Sequence, residues 1–353
     1  MNTEDKKYIR RCFELALLGQ GLNSPNPKVG AVVVYNNKVI GEGYHQKYGF
    51  SHAEVNAINN VKDKSLLKDS TIYVNLEPCC HYGKTPPCAE LLIKNNIKRC
   101  VIANRDSNPK VAGGGIKMLQ DAGIEVECGV LEEEGRFFNR RFFCNQEKHR
   151  PYIILKFAQS LDGYIDIERN NKEKQTYWIT NNDLKVWVHK QRAEEDAILV
   201  GYNTVLNDNP SITTRYFNGK NPKRIVFDRD LTLPQSSNVF NNESPTLVFN
   251  YLKTEKQNNI DFIQISNNED SIVQILHHLS KNGIGSLIVE GGKQTLQYFI
   301  DKNLWDEAYV LTGNTCFGAG KKAPAIATDY FSSTKMVADN RVDFFYNPNS
   351  LKI

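Results

Sequence analysis

The chain has 353 residues, 40% of them hydrophobic and 24% charged, with a formal net charge of +4. That length suits two domains, each able to bury a core, and the balance of apolar and charged residues excludes a disordered chain. There is no polybasic run and no apolar stretch long enough to span a bilayer, which argues against a nucleic-acid binder and against a membrane protein.

The periodicity predicts a helix from Glu4 to Leu18, stopped by Gly19 and Gly21. A β-branched run from Val29 to Tyr35 and a strand from Lys38 to Gly43 flank Asn36-Asn37, which signals a hairpin. Helices follow at Ala53–Val61, Cys88–Asn96, Gly115–Ala122 and Glu132–Phe143, with strands at Thr71–Leu76, Cys100–Ala103 and Glu125–Cys128. The polar stretch Asn145–Arg150, followed by Pro151, reads as a linker between a domain over 1–146 and another over 147–353. Beyond it the pattern restarts, with strands at Tyr152–Ala158, Ala197–Gly201, Arg224–Asp228, Thr246–Asn250, Ser286–Glu290 and Glu307–Leu311. Helices are expected at Asn182–Arg192, Ser271–Lys281 and Thr295–Lys302, and residues 255–270 read as surface loop. Strands alternating with helices make an α/β protein whose sheets are covered by helices.

The N-terminus is polar and carries no apolar signal core, so a cytoplasmic location is expected. Seven of the eight cysteines lie in the first 144 residues. In such a compartment they read as metal ligands or core residues rather than disulfides. Cys12, Cys100, Cys128 and Cys144 fall on predicted helices and strands and are expected in the core.

One group carries chemistry. His52-Ala53-Glu54 opens a helix, Pro78-Cys79 follows a strand, and Cys88 lies nine residues further on. An imidazole and two thiolates are three ligands of a tetrahedral Zn²⁺ with one position left open, and a carboxylate two residues from the imidazole reaches that position. This is the pattern for hydrolytic deamination of an amino-heterocycle, usually written H-x-E…P-C-x-x-C, with Glu54 as the acid/base. Here eight residues, not two, separate Cys79 from Cys88, so Cys80 and His81 are rival ligands. A closed structural zinc site or metal-free buried cysteines are the plainer alternatives. Asn26 is a candidate to read a pyrimidine edge, or else a turn residue between two prolines. His45 and His81 are expected to be structural. In the second half there is no G-x-G-x-x-G; the strand Leu287–Val289 instead runs through Glu290 into Gly291-Gly292 and a helix, a place where backbone amides hold phosphate.

Ser24-Pro25-Asn26-Pro27-Lys28-Val29-Gly30-Ala31-Val32, His52 to Ala57, Leu76 to Cys88 and Asn108 to Gly115 together resemble the bifunctional riboflavin-biosynthesis deaminase/reductase family. The long insert between the cysteines is a feature of that family, and the resemblance implies His52, Cys79 and Cys88 as the metal ligands. Lys84 and Cys80 stand where the family usually has Arg and Ser. The second half, through Ser160-Leu161-Asp162-Gly163 and the loop from Gly201 to Pro210, resembles the family's reductase. The implied architecture is a cytidine-deaminase-like three-layer domain followed by a dihydrofolate-reductase-like α/β domain.

Carried over by position, Ala158, Trp178, Thr204, Asp208 and the turn Gly292, Lys293, Gln294, Thr295, Leu296, Gln297 and Tyr298 would contact NADPH, with Arg229 a candidate for its 2′-phosphate. Thr176, Arg192, Arg215, Glu290 and Lys156 would hold the ribosyl-phosphate substrate, since guanidinium groups pair with phosphate. Neutral Asn207 and Asn209 flank Asp208 where the family usually has paired acids. The implied reactions are zinc-dependent deamination of 2,5-diamino-6-ribosylamino-4(3H)-pyrimidinone 5′-phosphate, then NADPH-dependent reduction of the ribosyl group to ribityl. The expected partner is this small molecule, with no nucleic acid and no membrane, and the chain is expected to form a homo-oligomer. A nucleic-acid base deaminase and a non-catalytic nucleotide-binding regulatory module are the competing classes.

Overall fold

The computed structural model describes residues 3–82, 86–109, 111–168 and 177–350. Thr176 and Lys84 lie outside them. Two compact units divide the chain, 1–148 and 149–352. Among the described residues no helix is long and apolar enough to cross a membrane.

The first unit runs α1 (Thr3–Leu17), β1 (Gly30–Tyr35), β2 (Lys38–Tyr44), α2 (Ala53–Asn59), β3 (Thr71–Leu76), α3 (Cys88–Lys94), β4 (Arg99–Asn104), α4 (Gly114–Asp121), β5 (Glu125–Cys128), α5 (Glu132–Phe138) and α6 (Arg140–Lys148). Its sheet has the order β2-β1-β3-β4-β5, with β3, β4 and β5 parallel and the β1–β2 hairpin antiparallel. Asn36 and Asn37 turn that hairpin at φ 48° and 58°, the positive values that a two-residue type I′ turn requires. Alternation along each strand feeds two cores. Ala31, Val33, Ile72, Val74, Cys100 and Ile102 face α2, α3 and α4 through Ala57, Leu92 and Leu119. Val32, Val34, Tyr73, Val101 and Ala103 face α1 through Ile9, Cys12 and Phe13. The unit is therefore three layers, helices on both sides of one sheet.

The second unit runs β6 (Tyr152–Gln159), β7 (Tyr164–Asp166), α7 (Asn182–Glu194), β8 (Ala197–Gly201), α8 (Tyr202–Asp208), β9 (Lys223–Phe227), β10 (Thr246–Asn250), β11 (Glu255–Gln257), β12 (Ile260–Gln264), α9 (Ser271–Lys281), β13 (Ser286–Val289), α10 (Lys293–Asp301), β14 (Glu307–Thr312), β15 (Lys321–Lys322), β16 (Phe331–Val337) and β17 (Asn340–Tyr346). The large sheet has the order β11-β12-β10-β9-β8-β13-β6-β14-β17-β16, and the strands from β12 to β14 are parallel. Ile153, Leu155, Phe157, Leu199 and Val289 pack on α9 and α10 through Ile275, Leu279, Leu296 and Phe299. The intervening residues of β6, Lys156 among them, face the other way. That face is covered by α7, where Trp187 meets Tyr309 edge-on at 5.5 Å.

Several expectations need correcting. The predicted helix Glu132–Phe143 is two helices, because Asn139 at the break gives its side chain to Lys28, accepting from the Lys28 amide and donating to its carbonyl at 3.0 Å each. The expected linker is still helical to Lys148. Residues 255–270 contain β11 and β12, since Phe262 is buried and β12 pairs with β10. The loop after Gly201 contains α8, and the closing hairpin of β16 and β17 was not anticipated from the sequence. Cys128, expected in the core, is exposed at the end of the edge strand β5, whereas Cys12, Cys100 and Cys144 are buried.

Candidate active sites

The first site is built where α2 lies close against the hairpin. A Cβ on Gly43 would stand 2.3 Å from the Ala57 amide nitrogen, and one on Gly41 2.4 Å from the Ala57 carbonyl, so only glycines let α2 approach β2 this closely. His52 is the N-cap of α2, in extended conformation, and Glu54 sits in its first turn, 3% exposed. Cys79 follows the end of β3, and Cys88 is the first residue of α3.

His52 Nδ1 lies 3.5 Å from Cys79 Sγ and 3.3 Å from Cys88 Sγ, and the Cys88 amide donates to Cys79 Sγ at 3.3 Å. Tetrahedral zinc, bonded at about 2.0–2.1 Å to nitrogen and about 2.3 Å to sulfur, holds such atoms roughly 3.6 Å apart. The donor set and its spacing therefore fit zinc, and these three residues form one cluster of potential ligands whose donor atoms lie within 4.8 Å of one another. The rivals are elsewhere: the Cys80 thiol donates to the Val111 carbonyl at 3.8 Å, and His81 is exposed.

Electrostatics matches the chemistry. Burial pushes the Glu54 carboxyl up, opposed by the neighbouring His52. The Cys88 thiol, beside the His52 imidazole, draws Cys79 down to about 4 against the effect of burial. Beside the cluster, Asn26 Nδ2 meets His45 Nε2 at 3.1 Å, and the His45 ring stands edge-on to His52 at 5.6 Å. Both residues noticed in the sequence thus share one hydrogen bond next to the His52, Cys79 and Cys88 cluster. Glu77 was quoted in the motif but given no task. It is 4% exposed and collects four backbone N–H groups.

The second site is a cavity of about 750 Å³ at the carboxyl ends of β8, β9 and β13. From β8 the chain goes on to β9 on one side, and from the adjacent β13 it goes on to β14 on the other, so the ends of β8 and β13 are a switch point of the sheet, where α/β folds hold ligands. Thr204, Asp208, Glu290, Gly292, Lys293, Gln294 and Thr295 line it, as do Tyr177, Asp166 and Lys321, which sequence reasoning did not single out. A Cβ on Gly291 would sit 2.9 Å from the Gly201 amide nitrogen, so two glycine segments pack backbone to backbone. Thr204 Oγ1 accepts from the Gly292 amide at 2.9 Å and fixes the turn. Gly292 caps α10 without a side chain, which leaves the first amides of the helix facing a potential anion. The cradle fits a dinucleotide phosphate.

Other candidates are not brought to this cavity. Leu296 is fully buried in the core, Gln297 donates to Asp301 at 2.7 Å, and Tyr298 donates to Asp270. Trp178 is 57% exposed beneath Lys185, and Arg229 pairs with Asp230 at 2.8 Å. Ala158 lies on β6 and Arg215 is exposed; neither lines the cavity. Asn209 ends α8 with φ 41°, a left-handed position that asparagine tolerates, and its side-chain oxygen accepts from the Asn238 amide at 2.7 Å.

Lys156, Arg192 and Glu290 meet beneath the cavity. Arg192 grips Glu290 through Nε at 3.1 Å and Nη2 at 2.6 Å, and Lys156 Nζ lies 3.4 Å from the same carboxylate. Burial alone would raise the Glu290 carboxyl, but the two cations hold it down to about 2. Burial lowers Lys156 against the pull of Glu290.

Comparison with known proteins follows the same division. Residues 2–104 match a family model described as the cytidine and deoxycytidylate deaminase zinc-binding region, and residues 151–339 match the RibD C-terminal domain. The riboflavin biosynthesis protein RibD of Aquifex aeolicus is 40% identical over 321 residues, 90% of this chain and 88% of that protein. RibD of Bacillus amyloliquefaciens is 38% identical, over 94% and 91% of the two chains. Among solved structures, a deaminase/reductase from Thermotoga maritima superposes with a TM-score of 0.86 at 34% identity, covering 97% of this chain and 98% of that one. RibD of Acinetobacter baumannii superposes with a TM-score of 0.87 at 30% identity and the same coverage.

Proposed function

The chain belongs to the RibD family of riboflavin-biosynthesis enzymes, with a zinc-binding deaminase domain and a reductase domain, and from that premise we propose the substrates, the cofactor and the residues that act. The substrates are those in the name of the Thermotoga maritima relative: diaminohydroxyphosphoribosylaminopyrimidine for the first unit and 5-amino-6-(5-phosphoribosylamino)uracil for the second.

His52, Cys79 and Cys88 hold zinc, which when bound acidifies a water and so supplies the nucleophile at neutral pH. Glu54 would take one proton from the water and deliver it to a ring nitrogen as the oxygen bonds to the ring carbon, then take the proton of that new hydroxyl and deliver it to the amine, which leaves as ammonia while the carbonyl forms. Its buried position suits this, because burial raises the carboxyl and so strengthens it as a proton acceptor. Asn26, oriented by His45, reads the pyrimidine. The observation that carries this half is the set of three ligand atoms with a buried carboxylate two residues from the imidazole.

In the second unit Thr204 and the start of α10 would hold the phosphates of NADPH, which when bound would supply the hydride for the sugar C1′. Lys156 donates a proton to the ring oxygen as the sugar opens, and Glu290 keeps that ammonium charged and aimed. Arg192 is committed to Glu290 and to the Thr213 carbonyl at 3.2 Å, which supports a positioning task rather than direct grip on the phosphate.

The test is one purified protein supplied with the phosphorylated diaminopyrimidine, with ammonia release and NADPH oxidation followed separately. Both signals are expected, in that order. Deamination of oligonucleotides in place of the mononucleotide, or ligand binding with neither signal, would favour one of the competing classes.

A further inference from the structure

Glu77 is a buried carboxylate that the reactions above do not use. It ends the segment after β3, two residues before Cys79. Oε2 accepts from the amides of Asp106 at 3.1 Å and Gly113 at 3.0 Å, and Oε1 accepts from Gly115 at 2.9 Å and Ile116 at 3.1 Å. Its own amide donates to the Asn104 carbonyl at 2.9 Å. One side chain therefore ties the end of β3 to the segment 106–116 at both of that segment's ends.

That segment packs directly on the cysteine turn. A Cβ on Gly115 would lie 2.0 Å from the Pro78 carbonyl oxygen, and one on Gly114 2.7 Å from Cys80 Sγ. On its other side the turn is held by α3, since the Ala89 amide donates to the Cys79 carbonyl at 3.1 Å. Cys79 thus stands in a seam between the starts of α3 and α4, and Glu77 closes the α4 side. Four hydrogen bonds to one buried carboxylate hold these segments together more firmly than a solvent-exposed network would.

We propose that Glu77 is a positioning residue for the deaminase centre: by clamping 106–116 against Pro78-Cys79-Cys80 it sets the place of the Cys79 sulfur relative to His52 and Cys88. The inference rests on the zinc reading of these three residues and goes beyond it. Outer groups that orient metal ligands are worth about 10–100-fold in metal affinity.

Glu77→Gln keeps the shape but turns an NH₂ toward two backbone N–H groups, so one pair of bonds is lost and replaced by repulsion. Glu77→Asp keeps the charge and withdraws it by one methylene. Zinc affinity, measured by chelator competition without substrate, is expected to fall about 10–100-fold in the Gln variant and by less in the Asp variant. The visible bands of the cobalt-substituted protein are expected to shift, since they report the geometry of thiolate ligands. Deamination kcat should fall more than KM rises, while NADPH oxidation with the deaminated substrate stays at the parental rate and the unfolding transition of the first unit is retained, which shows that both units are folded. Parental zinc affinity and an unshifted cobalt spectrum in Glu77→Gln would overturn the proposal. So would an equal loss in both variants accompanied by a lost unfolding transition of the first unit, which is the mark of a merely structural group. Failure of the zinc reading is separately visible, because the parental protein would then hold no stoichiometric metal.

Discussion

Glu54 is a buried acid and Glu290 a largely buried one, and their surroundings send them in opposite directions. Around Glu54 burial dominates and the carboxyl is raised. Around Glu290 two cations outweigh burial and the group stays ionised. The first is therefore suited to carry a proton, the second to hold charges in place. Glu54→Gln is expected to lower deamination kcat by about 10²–10⁴-fold, with zinc content and NADPH oxidation unchanged; metal analysis and the two separate assays check this. The second unit should also lose stability in acid in two stages. His189 is pushed down to about 4, by burial first and then by the Arg192 and Arg215 charges. The unfolded chain then binds its proton from about pH 6.5 downward while the folded one does not, so stability falls as pH drops from there to about 4. Glu290, held at about 2, adds a further loss between about 4.5 and 2, because its contribution is present above the unfolded value and disappears on protonation. Trp178, Trp187 and Trp305 all lie in the second unit, so tryptophan fluorescence during denaturation at several pH values reads this unit alone. His189→Gln should remove the first stage only.

At the scale of elements, glycines decide how closely segments approach. Gly291→Ala would press a Cβ against the Gly201 amide and Thr295 Cβ, at 2.9 and 3.1 Å, and push the start of α10 away from Thr204. The expected result is a KM for NADPH raised about tenfold or more, equivalent to about 1.4 kcal/mol, with deamination untouched; steady-state kinetics of the two reactions decides it. Strands with clear β-branched runs, such as Thr71–Leu76 and Thr246–Asn250, were legible in the sequence at their observed limits. β12 was not, because Asn258, Asn259 and Asp261 mask a strand whose stability comes from pairing with β10. The break between α5 and α6 was not legible either, since its cause is Asn139 reaching Lys28, more than a hundred residues away in the chain. Trp178 and Arg229 were named from position along the chain; in the structure they stand beside Lys185 and Asp230, outside the lining of the cavity.

At the scale of the molecule, the two units have separate cores and separate candidate sites. Chelation is therefore expected to abolish ammonia release and leave NADPH oxidation intact when the deaminated substrate is supplied, a result that the two assays distinguish in one preparation. Loss of both activities would contradict this separation. What the amino-acid order determined by itself was local and chemical: hairpin turn, strand runs, the His-Ala-Glu start of a helix, cysteines after a strand and a di-glycine turn. Such features depend on neighbours a few residues apart, which is why the α/β class and the zinc deamination chemistry could be read from them, while the reductase and its fold were implied by the family resemblance. That Arg192 is committed to Glu290, that Asn26 meets His45, and what Glu77 holds were decided only by tertiary structure. Those pairings join segments distant in the chain, and their energies arise from burial and charge that exist only once the sheets have formed.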